Sequence, residues 1–413
     1  MIPLKSKENE QGKQEENSMK KRVLQVLTGI LLMMSLCIFV GMPKQVKAEV
    51  KIAEYDEDSN KVTEVNKIPF LLVKDIDDLR GIAQKPYGIL ISKEEKEVTV
   101  PVNVKNTGKA VFSVQTENKG QKGKVIYSFS KDQEGKEVLG TVEAKLSEST
   151  SDDLYMDVTK GTYYLTLEIK GTLKNDALFL VQGGVLSTKD RVLTNLNFVI
   201  SGTTGKPLYY KVNMKNQGEL DFLFQGTEFL ESQVVLCDEN KKPISKVETV
   251  GKDDIICYKT YVVPKGVYYY RVNTENNCFM IQTAKSGYTD RDSSSSIQPR
   301  VLKNNRMITS YVSLADKKGS KKYYQYEAKK SSELKGLYIE FDEGSSGAIE
   351  VSIKLPGKGW TTKKLKEGEV YKISDKNIRK KGTYKIRIKK LSDKTTGTCT
   401  IGTDEYDDLS WLF

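Results

Sequence analysis

The sequence predicts an all-β chain of three tandem antiparallel β-sandwiches, and three observations carry that prediction. The phrase Gly161-Thr162-Tyr163-Tyr164-Leu165 returns as Gly266-Val267-Tyr268-Tyr269-Tyr270 and as Gly382-Thr383-Tyr384-Lys385-Ile386, at intervals of 105 and 116 residues. A phrase recurring at domain-sized spacing marks one structural unit used three times. Apolar and polar residues alternate in short runs bounded by Gly, Asn and Asp, the mark of half-buried strands. Beyond the first fifty residues only Ile76 to Ala83 suits a helix, of one or two turns.

Residues 1–48 read as a leader and signal peptide. Lys20-Lys21-Arg22 precedes an apolar run from Val23 to Met42, and Val46-Lys47-Ala48 places small residues where a signal peptidase cuts. The competing reading is a transmembrane anchor, since ~20 apolar residues span a bilayer. The cleavage site favours secretion, so the mature chain is expected to be extracellular, with no transmembrane anchor.

Residues 49–86 form an N-terminal segment. The sandwiches are placed at 87–186, 187–287 and 300–413, separated before the last by a Ser-rich linker, 288–299, with its run Ser293-Ser294-Ser295-Ser296. Arg191-Val192-Leu193 and Arg300-Val301-Leu302 each open a unit. Units of this size can each bury a core of their own. In the first, Val98, Val100, Val102 and Val104 share one face; Pro101 between them predicts an edge strand, because proline cannot donate to a ladder.

Alternation sorts the repeated phrase by face. Tyr163, Tyr268 and Tyr384 turn to the core beside aliphatics, and each hydroxyl is expected to reach a backbone partner at the sandwich edge. Tyr164, Tyr269 and Lys385 turn outward. At an earlier strand Tyr210 and Tyr324 point in, leaving Tyr209 and Tyr323 outside. Exposed tyrosines stack on sugar rings or accept cations, so Tyr164, Tyr269, Tyr209 and Tyr323 are candidate ligand contacts. Tyrosine also favours strands for its own sake.

Charge is uneven. Residues 300–413 carry 25 basic and 15 acidic side chains, net +10, whereas residues 49–299 are net −3. Lys321, Lys322, Arg379, Lys380 and Lys381 lie in its basic runs and are candidate contacts for an anionic cell-wall polymer or polysaccharide. The alternative is a solvated face that maintains solubility. No specific nucleic-acid motif occurs.

The chain has no histidine. That excludes Ser-His and Cys-His nucleophile systems and the commonest zinc ligand. No Gly-x-Ser-x-Gly or phosphate-binding loop occurs, so no catalytic residues are assigned and the protein is not expected to be an enzyme. Cys237, Cys257 and Cys278 fall in the second unit and Cys399 in the third. That distribution argues against a repeated disulfide framework and leaves any single pairing in the second unit open.

The second unit's Tyr209-Tyr210-Lys211-Val212, Gly218-Glu219-Leu220, Val234-Val235-Leu236-Cys237-Asp238-Glu239-Asn240 and Gly266-Val267-Tyr268-Tyr269 resemble the bacterial pre-peptidase C-terminal domain. That module is a jelly-roll β-sandwich of secreted proteins. Asn240 stands where glycine is usual. The first unit replaces the aromatic pair with valines, and the third keeps Tyr323-Tyr324 and Gly382-Thr383-Tyr384. The resemblance implies jelly-roll topology and a non-catalytic role in polymer binding or secretion. No cofactor is implied except calcium, bound by some relatives. Asp56-Glu57-Asp58, Asp152-Asp153, Asp253-Asp254 or Asp342-Glu343 could supply oxygens, though none has a ligand spacing. Family members usually follow a hydrolase, and only residues 49–86 precede the sandwiches.

Together these readings predict a secreted, non-catalytic, cell-surface-associated binding or scaffold protein whose basic third unit contacts anionic wall polymer. The alternative is an accessory to a secreted hydrolase, its tyrosines docking on polysaccharide or a protein polymer. The acidic-apolar tail 404–413 is expected to close the last sandwich or dock on a partner.

Overall fold

The computed structural model describes residues 52–404 except 57–60, 84, 117–120, 148–152, 252 and 374. The expected leader and tail residues 405–413 lie outside the described residues, as do Glu57, Asp58 and Asp152.

One topology is built three times. The second sandwich runs through nine strands: Arg191–Val192, Val199–Gly202, Leu208–Met214, Gly218–Gly226, Ser232–Cys237, Glu248–Val250, Ile256–Val263, Gly266–Thr274 and Cys278–Gly287. Its sheets have the order first-third-eighth-fifth-sixth and second-ninth-fourth-seventh. This is an eight-stranded jelly roll with a short first strand added parallel to the third. The third sandwich repeats both orders with Arg300–Val301, Met307–Val312, Lys321–Ala328, Tyr338–Phe341, Ala348–Lys354, Trp360–Lys366, Val370–Lys372, Gly382–Lys390 and Gly397–Gly402.

The first sandwich repeats them too, from Ile68–Phe70 through Ala177–Leu186. Its second sheet is widened by the hairpin Ile52–Asp56 and Lys61–Glu64, laid on Tyr87–Ile91. A start at residue 87 therefore cuts the unit. Ile68, Phe70 and Val73 are fully buried, and the Phe70 ring stacks on Phe129 at 6.0 Å. The N-terminal segment supplies core because Ile68-Pro69-Phe70 does the work of the later Arg-Val pairs without resembling them. Ile76–Ala83 is helical as expected. Pro101 is not on an edge strand: Glu97–Val104 lies between Gly161–Thr172 and Ile68–Phe70. Pro101 stands opposite Tyr164, one residue outside the flank that Ile68–Phe70 covers.

Tyr163, Tyr268 and Tyr384 are all buried. Each hydroxyl reaches the backbone four residues upstream. Tyr268 Oη donates to Pro264 O at 2.9 Å, Tyr384 Oη donates to Lys380 O at 2.6 Å, and Tyr163 Oη accepts from Thr159 N at 2.9 Å. The ring fills the core while its polar end satisfies the turn that enters the strand. All four cysteines of the described residues are buried free thiols, and burial pushes Cys257 and Cys278 up to about 12.

The sandwiches are joined firmly. Between the first and second, Val73, Ile76 and Leu186 pack on Ile200, Cys278 and Met280, and Ile200 N donates to Lys74 O at 2.9 Å. Between the second and third, the edge strand Ile256–Val263 is capped. Thr260 N donates to Gly344 O at 2.8 Å and Val262 O accepts from Leu314 N at 2.8 Å, while Val262 N donates to Thr396 Oγ1 at 2.8 Å. Lys259 adds an ion pair to Glu367 at 2.6 Å. An open sheet edge is thereby satisfied by the neighbouring sandwich.

The Ser-rich stretch 288–299 is pinned as well. Ser293 O accepts from Tyr323 N at 2.8 Å. The Asp292 carboxylate, 1% exposed, meets Lys322 and Arg300, each at 2.9 Å. Low periodicity is what the sequence shows; the buried carboxylate is what fixes the segment.

Candidate ligand-binding face of the third sandwich

The outward face of the eighth strand gives an internal comparison, because the core tyrosine sets a common register. The four outward positions are Thr162, Tyr164, Thr166 and Glu168 in the first sandwich and Val267, Tyr269, Arg271 and Asn273 in the second. In the third they are Thr383, Lys385, Arg387 and Lys389. Their formal charges are −1, +1 and +3 on one scaffold.

Neighbouring strands extend the difference. In the third sandwich one cross-strand row runs Gln325, Lys385, Lys354, Trp360; the next runs Tyr323, Arg387, Ser352, Thr362; a third runs Lys321, Lys389, Glu350, Lys364. The equivalent face of the first sandwich is a hydroxyl ladder: Thr99 and Thr166 share a hydrogen bond at 2.9 Å, and Ser128 and Thr141 another at 3.3 Å.

Two lysine pairs, Lys354 opposite Lys385 and Lys321 opposite Lys389, set like charges directly across the ladder. Such pairs destabilise a sheet by roughly 0.2–1 kcal/mol each. The first sandwich has like-signed pairs too: Glu97 opposite Glu168, where Lys170 neutralises Glu168, and Lys124 opposite both Lys170 and Lys145, where Glu143 pairs with Lys124. In the third, Glu350 is shared between Arg387 at 3.8 Å and Lys389 at 3.6 Å. Three rows thus hold six outward cations against one acid.

Trp360 begins the sixth strand at the sheet border and is 43% exposed. The Arg387 guanidinium lies 5.3 Å from its ring centroid and donates through Nη2 to Ser352 Oγ at 2.8 Å. Sequence reasoning missed Trp360, Lys354, Arg387 and Lys389. Strand Trp360–Lys366 has one buried residue, Leu365, too few to show alternation.

The expected contacts divide. Tyr323 and Lys321 lie on this face. Lys322 faces the other way: its ammonium donates to Asp292 Oδ2 at 2.9 Å and Tyr311 O at 2.5 Å. Burial opposes its charge, but the Asp292 and Asp290 carboxylates beside it hold the ammonium above its usual range. The same contacts overcome burial at Asp292 and hold it below the carboxylate range. Arg379, Lys380 and Lys381 are exposed in the loop that enters the eighth strand.

Tyr209 and Tyr269 are half-buried, with Lys241 above both rings at 4.2 and 5.4 Å from their centroids. Asp190 holds that ammonium at 3.0 Å. These rings already have a cation. Tyr164 is half-buried beside Pro101 and Ser130, and the structure does not gather it with the other three tyrosines.

A concavity of about 390 Å³ opens between the first and second sandwiches, lined by Lys109, Asp157, Thr203, Glu231 and Asn277 among others. Lys109 Nζ spans it, 3.3 Å from Asp157 and 3.4 Å from Asn277 Oδ1. Among the described residues no group of three or more Cys, Asp or Glu side chains could hold a metal ion. Asp342, one of the residues that could supply an oxygen to calcium, accepts Thr400 N at 3.0 Å. No helix among the described residues is long and apolar enough to cross a membrane.

Neither a family model nor a curated protein matches the chain. Solved structures do. A putative secreted protein from Parabacteroides distasonis is 8% identical with a TM-score of 0.18, covering 48% of this chain and 89% of that one. The M60 catalytic domain with two CBM51 domains of Clostridium perfringens ZmpB is 10% identical with a TM-score of 0.18, covering 78% of this chain and 34% of that one. A chain of Sulfolobus Turreted Icosahedral Virus is 10% identical with a TM-score of 0.17, covering 87% and 96%. The functional reading rests on this chain's own residues.

Proposed function

We propose that the protein is a secreted, non-catalytic binding protein whose third sandwich lays a cationic sheet face on an anionic cell-surface polymer. The observation that carries the reading is the charge at equivalent positions of one strand: −1, +1 and +3 through the three units. The leader motif Lys20-Lys21-Arg22 to Ala48 supports secretion, and the resemblance to the pre-peptidase C-terminal module supports a polymer-facing role. The absence of histidine supports a non-catalytic one.

The test is retention on purified anionic wall polymer across a salt series. Binding is expected at low ionic strength and falls steeply between about 0.05 and 0.3 M salt, as the screening length shortens. The triple substitution Lys385→Gln, Arg387→Gln and Lys389→Gln abolishes it. Retention indifferent to salt, or unchanged in that variant, refutes the reading. An accessory role beside a hydrolase uses the same face and differs only in what is brought to the polymer.

A further inference from the structure

The cationic face is not only cationic. Trp360 and Tyr323 stand at its two sides, on the sixth and third strands, with the eighth and fifth between them. Three strand spacings separate the rings, roughly 14 Å across the sheet. The space between is filled by Arg387, Lys385 and Lys354, with Arg387 steadied from below by the buried Ser352 hydroxyl. A polymer crossing the strands meets ring, charge and ring in turn.

Resting on the reading above, we infer that the occupant of this face is an acidic polysaccharide, one sugar of which stacks on Trp360 while a neighbouring carboxylate or phosphate engages Arg387 and Lys385. A chain of phosphates or carboxylates without rings gains nothing from an aromatic side chain, and bare charge attraction leaves an exposed indole on the cationic face unexplained. Sugar rings present apolar C–H faces that fit the outer face of the indole, and their hydroxyls suit Thr362 and Gln325. The Arg387 guanidinium lies 5.3 Å from the centroid of the same indole, within reach of an acidic group on the sugar next to the stacked one. Single-stranded nucleic acid also stacks, but on successive rings that track adjacent bases. Here the two rings are three strands apart.

The probes are polygalacturonate, inorganic polyphosphate of similar charge and single-stranded DNA, each added to the full chain. Trp360 and Trp411 are its two tryptophans, so a Trp411→Phe background makes indole emission report on Trp360 alone. Polygalacturonate is expected to shift that emission and polyphosphate to leave it unmoved. Trp360→Ala lowers polygalacturonate affinity about tenfold, the loss of one stacked ring, and leaves polyphosphate affinity within about twofold. Trp360→Phe restores most of the loss. Because the side chain is exposed on a border strand, the variants keep their fold, which an unchanged melting curve verifies. Unchanged polygalacturonate affinity in Trp360→Ala, or tighter binding of DNA than of polygalacturonate, overturns the inference while leaving polyanion binding intact. If no probe binds, or if Lys385→Gln with Arg387→Gln binds every probe as before, the broader reading fails with it.

Discussion

Tyr268 Oη donates to the carbonyl oxygen of Pro264 at 2.9 Å, closing the turn that delivers the chain into the eighth strand of the second sandwich. The first and third sandwiches make the same i to i−4 closure, through Thr159 and Lys380. Tyr268→Phe keeps the ring and leaves one carbonyl unpaired, so it costs about 1 kcal/mol. Tyr268→Ala empties the site and costs about 3–5 kcal/mol. Denaturant midpoints of the second sandwich check both. Equal effects would mean that the hydroxyl, not the ring, holds the corner.

Replacing Lys354 by glutamate sets opposite charges across the ladder at Lys385. The variant is expected to gain stability of roughly 0.5 kcal/mol while losing affinity for anionic polymer. Opposite movement of the two quantities is the signature of a site at which binding is favoured over sheet stability. Parallel loss of both contradicts it.

Asp292→Asn leaves the Lys322 ammonium without its main counter-charge. Removing one partner of a buried pair costs about 3–5 kcal/mol, and here the loss falls on the third sandwich and its connector. Asp292 is held below its ordinary range, so its contribution is present above the unfolded carboxylate pKa. It is lost as pH falls through the lower folded value. Acid titration of the wild type is therefore steeper at low pH than that of the variant.

Lys390 gives the opposite end of the scale. Burial lowers its ammonium to about 8, although Nζ donates to Ser313 O at 2.5 Å. With a folded value below the unfolded 10.5, the unfolded chain binds more protons between those limits, and stability from this group rises with pH across that window. Lys390→Met removes the dependence. Unfolding of both proteins at about pH 8 and about pH 10 tests it: the wild type must gain on the variant as pH rises.

Thr396→Val removes the acceptor of Val262 N and leaves a buried amide unpaired at the junction of the second and third sandwiches. A cost of roughly 1–3 kcal/mol follows. Calorimetry is expected to show the two sandwiches unfolding together in the wild type and apart once Lys259→Gln is added.

Much of the architecture was legible because strand chemistry is local. The repeated Gly-x-Tyr phrase fixed the count of units, and alternation told the inward from the outward tyrosines. The first boundary was hidden because Ile68-Pro69-Phe70 shares no residue with Arg191-Val192 or Arg300-Val301, although all three add the same parallel strand. Lys321 and Lys322 read as one basic run, yet alternation separates them: Lys322 shares a face with Tyr324 and Tyr326. The cationic rows were not legible, because Lys354, Trp360 and Arg387 come together only when the fifth, sixth and eighth strands are laid side by side.

The buried Asp292 carboxylate has a mechanical consequence. With the connector clamped and the second sandwich's border sealed by the third, the bearing of the lysine-rich face is set relative to the rest of the chain. That face cannot swivel independently of the second sandwich. The second and third sandwiches form a stiff bracket, and the heading of the lysine-rich face is passed on to the modules behind it.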